Sequence, residues 1–182
     1  MALRQILTEP NKILREKSLS VETVDEDLQK LMNDMLETMY AAPGIGLAAI
    51  QVGIPKRIIV LDIAPKDGPN IAPKDSPRNP MFFINPEIIE KSENYLTYEE
   101  GCLSVPGQFA EIDRPNKCHI KYLDYYGLPK EIKAEGMLAT CIQHEIDHLD
   151  GILFIDYLSK LKKSMIIKKL SKQKKAIERI VV

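Results

Sequence analysis

Two histidines flank a glutamate in the run His144-Glu145-Ile146-Asp147-His148. Helical residues four apart sit roughly 40° apart around the axis and about 6 Å along it. Two imidazoles in that relation can aim at one ion. Glu145, one step round, can reach a water on that ion instead of the ion itself. This HExxH pattern is the signature of zinc metalloproteases, and its general chemistry comes with the motif. The chain has three histidines, and two of them stand here. The plainer alternative is a pair of solvent-facing helical histidines beside an ordinary glutamate.

A catalytic metal needs a third protein ligand and an open position. The candidates are Cys102, Cys118, Cys141, His119 and many carboxylates. Cys102 is singled out by its neighbours, Glu99-Glu100-Gly101-Cys102-Leu103-Ser104-Val105-Pro106. Gly101 permits close backbone approach, and Leu103 can present its N–H to whatever the thiolate helps to bind. Cys141, three residues before His144, reads more naturally as a small buried apolar group. Cys118 and His119 point to opposite faces of an apparent strand and read as structural. Spacing alone leaves the third ligand open. The run Pro43-Gly44-Ile45-Gly46-Leu47-Ala48-Ala49-Ile50-Gln51-Val52-Gly53 lets a backbone pass close to a ligand, with Gln51 as a neutral N–H donor. It is not a dinucleotide fingerprint, because the third glycine and the preceding strand are missing. Taken alone it reads as a tight loop after a helix.

Together the three segments closely resemble peptide deformylase, of the bacterial type 1 kind with a C-terminal helix. The marks GxGLAAxQ, EGCLS and QHExDHLxG stand here as Gly44–Gln51, Glu100–Ser104 and Gln143–Gly151, in that order and spacing. The similarity spans nearly the whole chain, including Ile6-Leu7 and Leu14-Arg15 near the start. The resemblance implies a metal-dependent hydrolase that removes the formyl group from N-formylmethionyl peptides of nascent chains and releases formate. It implies Cys102, His144 and His148 as ligands of one divalent ion. That ion is expected to be Fe2+ in the cell, with Zn2+, Ni2+ or Co2+ in preparations. Glu145, Gln51 and Leu103 are the implied catalytic residues. Ile45, Gly46, Gly101 and Cys141 are implied to line the substrate site, with Ile45 and Gly46 along the peptide backbone. Phe109 departs from the pattern, since some members carry an arginine there, near the substrate mouth.

In the expected chemistry, Glu145 takes a proton from water as it attacks the formyl carbon, then passes a proton to the departing amine. The Gln51 amide and the Leu103 backbone N–H hold the developing oxyanion. Two other functions compete. A metallo-endopeptidase shares HExxH, but such enzymes normally take His or Glu as third ligand, and no histidine follows His148. A non-catalytic ribosome-associated protein with a structural metal needs a closed four-ligand site. The chain offers no convincing fourth ligand.

The elements that must position these residues follow from periodicity. Asp25–Met39 is expected as an amphipathic helix with Leu28, Leu31, Met32, Met35, Leu36 and Met39 on its core face. Short strands are expected at Arg57–Ile63, Met81–Ile89, Glu111–Asp113, Cys118–Leu123 and Lys130–Lys133. Pro65–Pro80 reads as an exposed proline-rich loop. The metal helix starts near Gly136, carries Leu138, Ile142, Ile146 and Leu149 on its core stripe, and stops at Asp150-Gly151. The fold class is α+β, with short antiparallel strands around a central HExxH helix and a helix toward each end.

Residues 1–182 are expected to form a single catalytic domain, long enough to bury about 70% of the unfolded surface without disulfides. Three cysteines, with one on a metal, point to a reducing compartment. There is no continuous apolar core for a secretory signal, and no apolar run near the roughly 20 residues of a membrane span. The first twenty residues do not resemble an organellar transit peptide. A bacterial cytoplasm is expected, with neither DNA nor membrane as partner. Residues 160–182 hold nine Lys/Arg against one Glu, whereas the preceding 159 hold 16 basic against 25 acidic residues. Leu158, Leu161, Met165, Ile166 and Leu170 recur at helical spacing, so 157–182 reads as a basic amphipathic helix. The resemblance implies that this helix contacts the ribosome near the exit tunnel. The alternative is a helix that packs by its apolar stripe and solvates its lysines.

Overall fold

The structure is a computed structural model that describes residues 2–63 and 78–180. Helix α1 spans Glu26–Ala41, two residues beyond the expected end. Its N-cap is Asp25, whose carboxylate accepts the Leu28 N–H at 2.8 Å, satisfying a donor the helix cannot pair itself. Leu28, Leu31, Met32, Met35 and Met39 are buried as the pattern required, and Leu36 is half-buried at the edge of that face.

Five strands form one antiparallel sheet: β1 (Gly46–Ala48), β2 (Ile58–Leu61), β3 (Met81–Lys91), β6 (Lys117–Leu123) and β7 (Pro129–Glu135), in spatial order β1-β2-β3-β6-β7. Strands β4 (Tyr95–Cys102) and β5 (Val105–Pro115) pair with each other as a separate hairpin. Strand β2 is buried at every position, and the two-residue alternation of a strand divides it between two cores. Ile58 and Val60 join Met32, Met35 and Met39 of α1. Ile59 and Leu61 join Ile142, Ile146 and Leu149 of the second helix, α2 (Met137–Leu149). The sheet is therefore covered by α1 on one face and by α2 on the other, which gives the expected α+β architecture.

Strands β1 and β4 were not anticipated, and β5 extends well beyond the expected Glu111–Asp113. Strand β1 is Gly-Leu-Ala, three residues without a β-branched side chain. Most of β4 is exposed, so neither of its faces carries a continuous apolar pattern. Helix α2 ends as expected, with Asp150 as C-cap and Gly151 at φ 76°. A side chain at Gly151 would collide with the backbone of Arg15, so the chain can turn there only at glycine.

Helix α3 spans Lys160–Ile180 and follows a 3-10 turn at Phe154–Tyr157, so the expected continuous helix from 157 begins later. Leu170 is buried with Val105, Ile112 and Phe154, and Leu158, Ile166 and Ile167 pack against that group. Leu161 and Met165, expected on the apolar stripe, are 72% and 63% exposed. Leu158 precedes the helix, which removes it from the helical phase. Leu161 and Met165 then fall nearly opposite the 166–167–170 face. The Pro65–Pro80 loop lies mostly outside the described residues. Among the described residues no helix is long and apolar enough to cross a membrane.

Candidate metal centre

Helix α2 presents His144 and His148 one turn apart, both buried. Cys102 reaches them from the end of β4. There the hairpin register slips between Gly101 and Cys102, so that Cys102 opposes Val105. The sulfur lies 3.1 Å from His148 Nε2. Potential ligand atoms of Cys102, His144 and His148 all lie within 4.8 Å of one another, and the imidazole rings stand 5.0 Å apart and steeply inclined. Spacing left the cysteines open; the hairpin brings Cys102 to the two histidines.

The outer nitrogens of the two histidines differ. His144 Nδ1 lies 2.8 Å from Glu100 Oε2, whereas His148 Nδ1 is buried without a hydrogen-bond partner among the described residues. A carboxylate on Nδ1 holds the proton there and leaves Nε2 as the lone-pair donor, the arrangement typical of metal-bound histidine. Burial alone would lower the His144 pKa, but Cys102, Glu100 and Glu145 outweigh it and hold it well above the usual value. Burial drives His148 well below its usual value and keeps it neutral. A cluster anionic enough to retain a proton on a buried imidazole is one that a metal cation fits. One sulfur and two imidazoles suit iron or zinc in particular.

Glu145 follows His144 on α2. Its Oε2 is buried without a hydrogen-bond partner among the described residues, and its other oxygen lies so close to Gly46 that a side chain there would collide with it. Burial pushes its carboxyl up to about 7, partly opposed by His144. Gln51 is anchored at both ends of its amide. Oε1 accepts the Ala48 N–H at 2.8 Å, and Nε2 donates to Ser104 Oγ at 3.0 Å with a longer 3.5 Å contact to the Cys102 sulfur. Leu103 follows Cys102 in the hairpin turn and packs on the α1-side core. Ile45 packs against the α2-side core and its carbonyl accepts the Asp62 N–H at 2.9 Å. The Phe109 ring covers Gly101 from the facing strand.

Cys141 is buried in the α2-side core, as expected of a small apolar group. Cys118 is buried too, its thiol pushed up to about 11 by burial. His119 faces the other side and pairs with Glu131 at 2.9 Å. The polar residues behind the centre were not anticipated. Glu100 could have been found from strand alternation, since residues two apart share a face with Cys102. Arg114, which binds Glu100, carries no local signal.

The family model for polypeptide deformylase matches residues 3–164. The chain belongs to the polypeptide deformylase family. The peptide deformylase of Pelagibacter ubique (strain HTCC1062) is 61% identical over 182 residues, covering all of both chains. The crystal structure of peptide deformylase from Ehrlichia chaffeensis matches with a TM-score of 0.87 at 44% identity, over 96% of this chain and 98% of that one. A structure of the Ehrlichia enzyme in complex with actinonin matches with a TM-score of 0.86 at 46% identity, over 95% and 98% of the two chains. Deformylases are metalloenzymes, and this chain is accordingly a hydrolase that removes the formyl group from N-terminal formylmethionine and releases formate.

Proposed function

We propose that deformylation by this chain is carried out by Glu145, Gln51 and Leu103 around one divalent ion held by Cys102, His144 and His148. The observation that carries this reading is the buried Glu145 carboxylate, with one oxygen unpartnered, next to a cluster of three ligand-type side chains. When bound, a divalent ion supplies Lewis acidity and makes water acidic enough to ionise near neutral pH. Glu145 accepts the proton of the attacking water. The C–N bond of the tetrahedral adduct then breaks, and Glu145 returns the proton to the methionine amine as formate departs. Gln51 Nε2 and the Leu103 N–H stabilise the oxyanion, each donor being worth about 3–4 kcal/mol at the transition state. The contact of Nε2 with sulfur is long, and sulfur is a weak acceptor, so that donor is easily exchanged for a substrate oxygen.

Strand β1 lies at the edge of its sheet. An extended peptide can pair along such an edge, and we assign Ile45 and Gly46 to its backbone and Gly101 and Cys141 to the lining of the same site. The catalytic unit we infer spans the chain. The N-terminal segment is bonded to the motifs by Leu7 N–H to Gln51 O at 2.7 Å and Glu9 N–H to Ser104 O at 2.9 Å, and α3 packs beneath Cys102 and Val105. We assign Fe2+ as the cellular ion, a bacterial cytoplasm as the location, and the lysine-rich α3 as a ribosome contact near the exit tunnel. Ferrous iron and the Cys102 thiolate are both oxidisable, so activity of the iron form should decay in air.

The test uses anaerobically prepared, iron-loaded protein, a formyl-Met tripeptide and mass analysis of the products. Release of formate with the tripeptide otherwise intact is expected. Internal cleavage, or no product from metal-loaded protein, would overturn the assignment. Full activity after prolonged aeration would overturn the choice of iron.

A further inference from the structure

Arg114 lies near the end of β5, outside all three motifs, with only 4% of its side chain exposed. Its Nε donates to Glu100 Oε1, and its Nη2 donates to Glu100 Oε2 at 3.0 Å. That same Oε2 receives His144 Nδ1 at 2.8 Å. The third nitrogen, Nη1, donates to Asp147 Oδ2 at 2.7 Å. The Tyr157 hydroxyl donates to that Asp147 oxygen at 2.8 Å, and its ring lies under the guanidinium with the centroid 5.0 Å away. We propose that Arg114 is a positioning residue for the metal centre, acting on His144 through Glu100, while Asp147 and Tyr157 hold Arg114 itself in place.

The reasoning starts from Glu100, a buried carboxylate. Without the guanidinium it would be a buried charge with neither counter-ion nor fork to hold its rotamer, and it would turn away. That removes the acceptor that holds the His144 ring by Nδ1 and aims its Nε2. Arg114 fixes both oxygens of Glu100 at once through a planar fork, so one rotamer is selected and its Oε2 stays aimed at the imidazole. A lysine would restore the charge but not the fork. Asp147 sits on α2 inside the HExxH run, one residue before His148. The guanidinium therefore ties the hairpin that carries Cys102 to the helix that carries both histidines. Tyr157 extends this brace to the segment that leads into α3.

This inference rests on His144 being a metal ligand, and the experiment separates the two ideas. Metal-free wild type and the variants His144→Ala, Arg114→Lys, Tyr157→Phe and Arg57→Ala are loaded with Co2+ without oxygen. Affinity is read by competition with a chelator, and ligand geometry by the visible absorption bands. Arg114→Lys should bind Co2+ about 10- to 100-fold more weakly, the usual scale for loss of an outer partner, with displaced bands. Tyr157→Phe should move both readouts the same way by less. Arg57→Ala removes the 2.8 Å pair with Asp150 at the end of the same helix. It should lower the melting temperature yet leave affinity and spectrum as in wild type. Wild-type affinity and bands in Arg114→Lys would overturn the proposal, as would losses in Arg57→Ala that match those in Arg114→Lys. Should Arg114→Lys fail to fold, wild-type values in Tyr157→Phe would overturn it. Unchanged binding in His144→Ala would overturn the ligand assignment on which the proposal stands.

Discussion

Asp34 and Glu100 are buried carboxylates that each pair with an arginine, and they do different things. On the α1 side, Asp34 accepts the Ala2 N–H at 2.9 Å and Arg4 Nη2 at 3.1 Å, while Thr38 Oγ1 accepts the Arg4 N–H at 3.0 Å. Every partner there belongs to the N-terminal segment or to α1 itself, so the pair pins a chain end to a helix. On the α2 side, Glu100 shares one oxygen between Arg114 and His144, and His144 belongs to a cluster of ligand-type side chains with Cys102 and His148. Burial of charge is common to both regions. What marks the second is that its network reaches a cluster of side chains that could hold a metal ion.

The sharpest way to break the comparison is Glu145→Ala. Turnover should fall at least about 10²-fold, the scale of a positioned acid–base, while metal content per chain remains at one. Formate release and elemental analysis on the same sample check both halves. Asp34→Ala should do the converse. It should cost about 1–2 kcal/mol of stability through the lost hydrogen bonds, or roughly 2–8 °C in melting temperature for a chain of this size. The turnover of the metal-loaded protein should be unchanged. A large loss of turnover in Asp34→Ala would abolish the distinction.

Next in size is Glu100→Ala, which should weaken metal binding about 10- to 100-fold. Turnover should be largely restored at saturating metal, read by chelator competition and metal-dependent rates. Gly46→Ala should combine the two kinds of damage. The added methyl would meet the Glu145 carboxylate and Leu61, costing about 1–3 kcal/mol by overpacking. It should also lower turnover of the folded fraction by displacing the acid–base. If rate and stability fell strictly together, Glu145 would not be in the position proposed.

The same contrast decides what could be read from the sequence. Helix α1 was legible because its Leu and Met residues face a core that is apolar throughout, and an apolar stripe repeats every turn. The histidines were legible because both candidate ligands and the proposed acid–base share one helix. Cys102 was singled out by its neighbours, but the corner that delivers it was not foreseen, because it depends on a register slip between two strands, one of them mostly exposed. Strand β1 looked like a loop because three small or unbranched residues carry little strand preference. Arg114 could not be seen at all. Its partners Glu100 and Asp147 come from β4 and α2, and only the folded hairpin brings them together. Helix α3 was placed, and Ile166 and Leu170 of its expected stripe are packed, but Leu161 and Met165 are not. The stripe drawn through Leu161 and Met165 assumed a helix running through Leu158, and the 3-10 turn resets the phase.

The smallest expected effect concerns pH on the α1 side. The Ala2 N–H, followed by Arg4, holds the Asp34 carboxyl below its ordinary value despite burial. A depressed carboxyl stabilises the fold in its ionised form. That contribution is complete above the unfolded value of about 3.9, and it drains away as pH falls through the lower folded value. Wild type should therefore exceed Asp34→Asn in stability by a constant margin at pH 5–7. The margin should shrink on acidification below about pH 4. Urea unfolding of both proteins in their metal-free forms measures it without interference from metal release. Because the two chains share every other titrating group, the difference between them isolates Asp34. A margin that stayed fixed down to pH 3 would mean that neither the Ala2 N–H nor Arg4 favours the ionised Asp34 carboxylate in the folded chain.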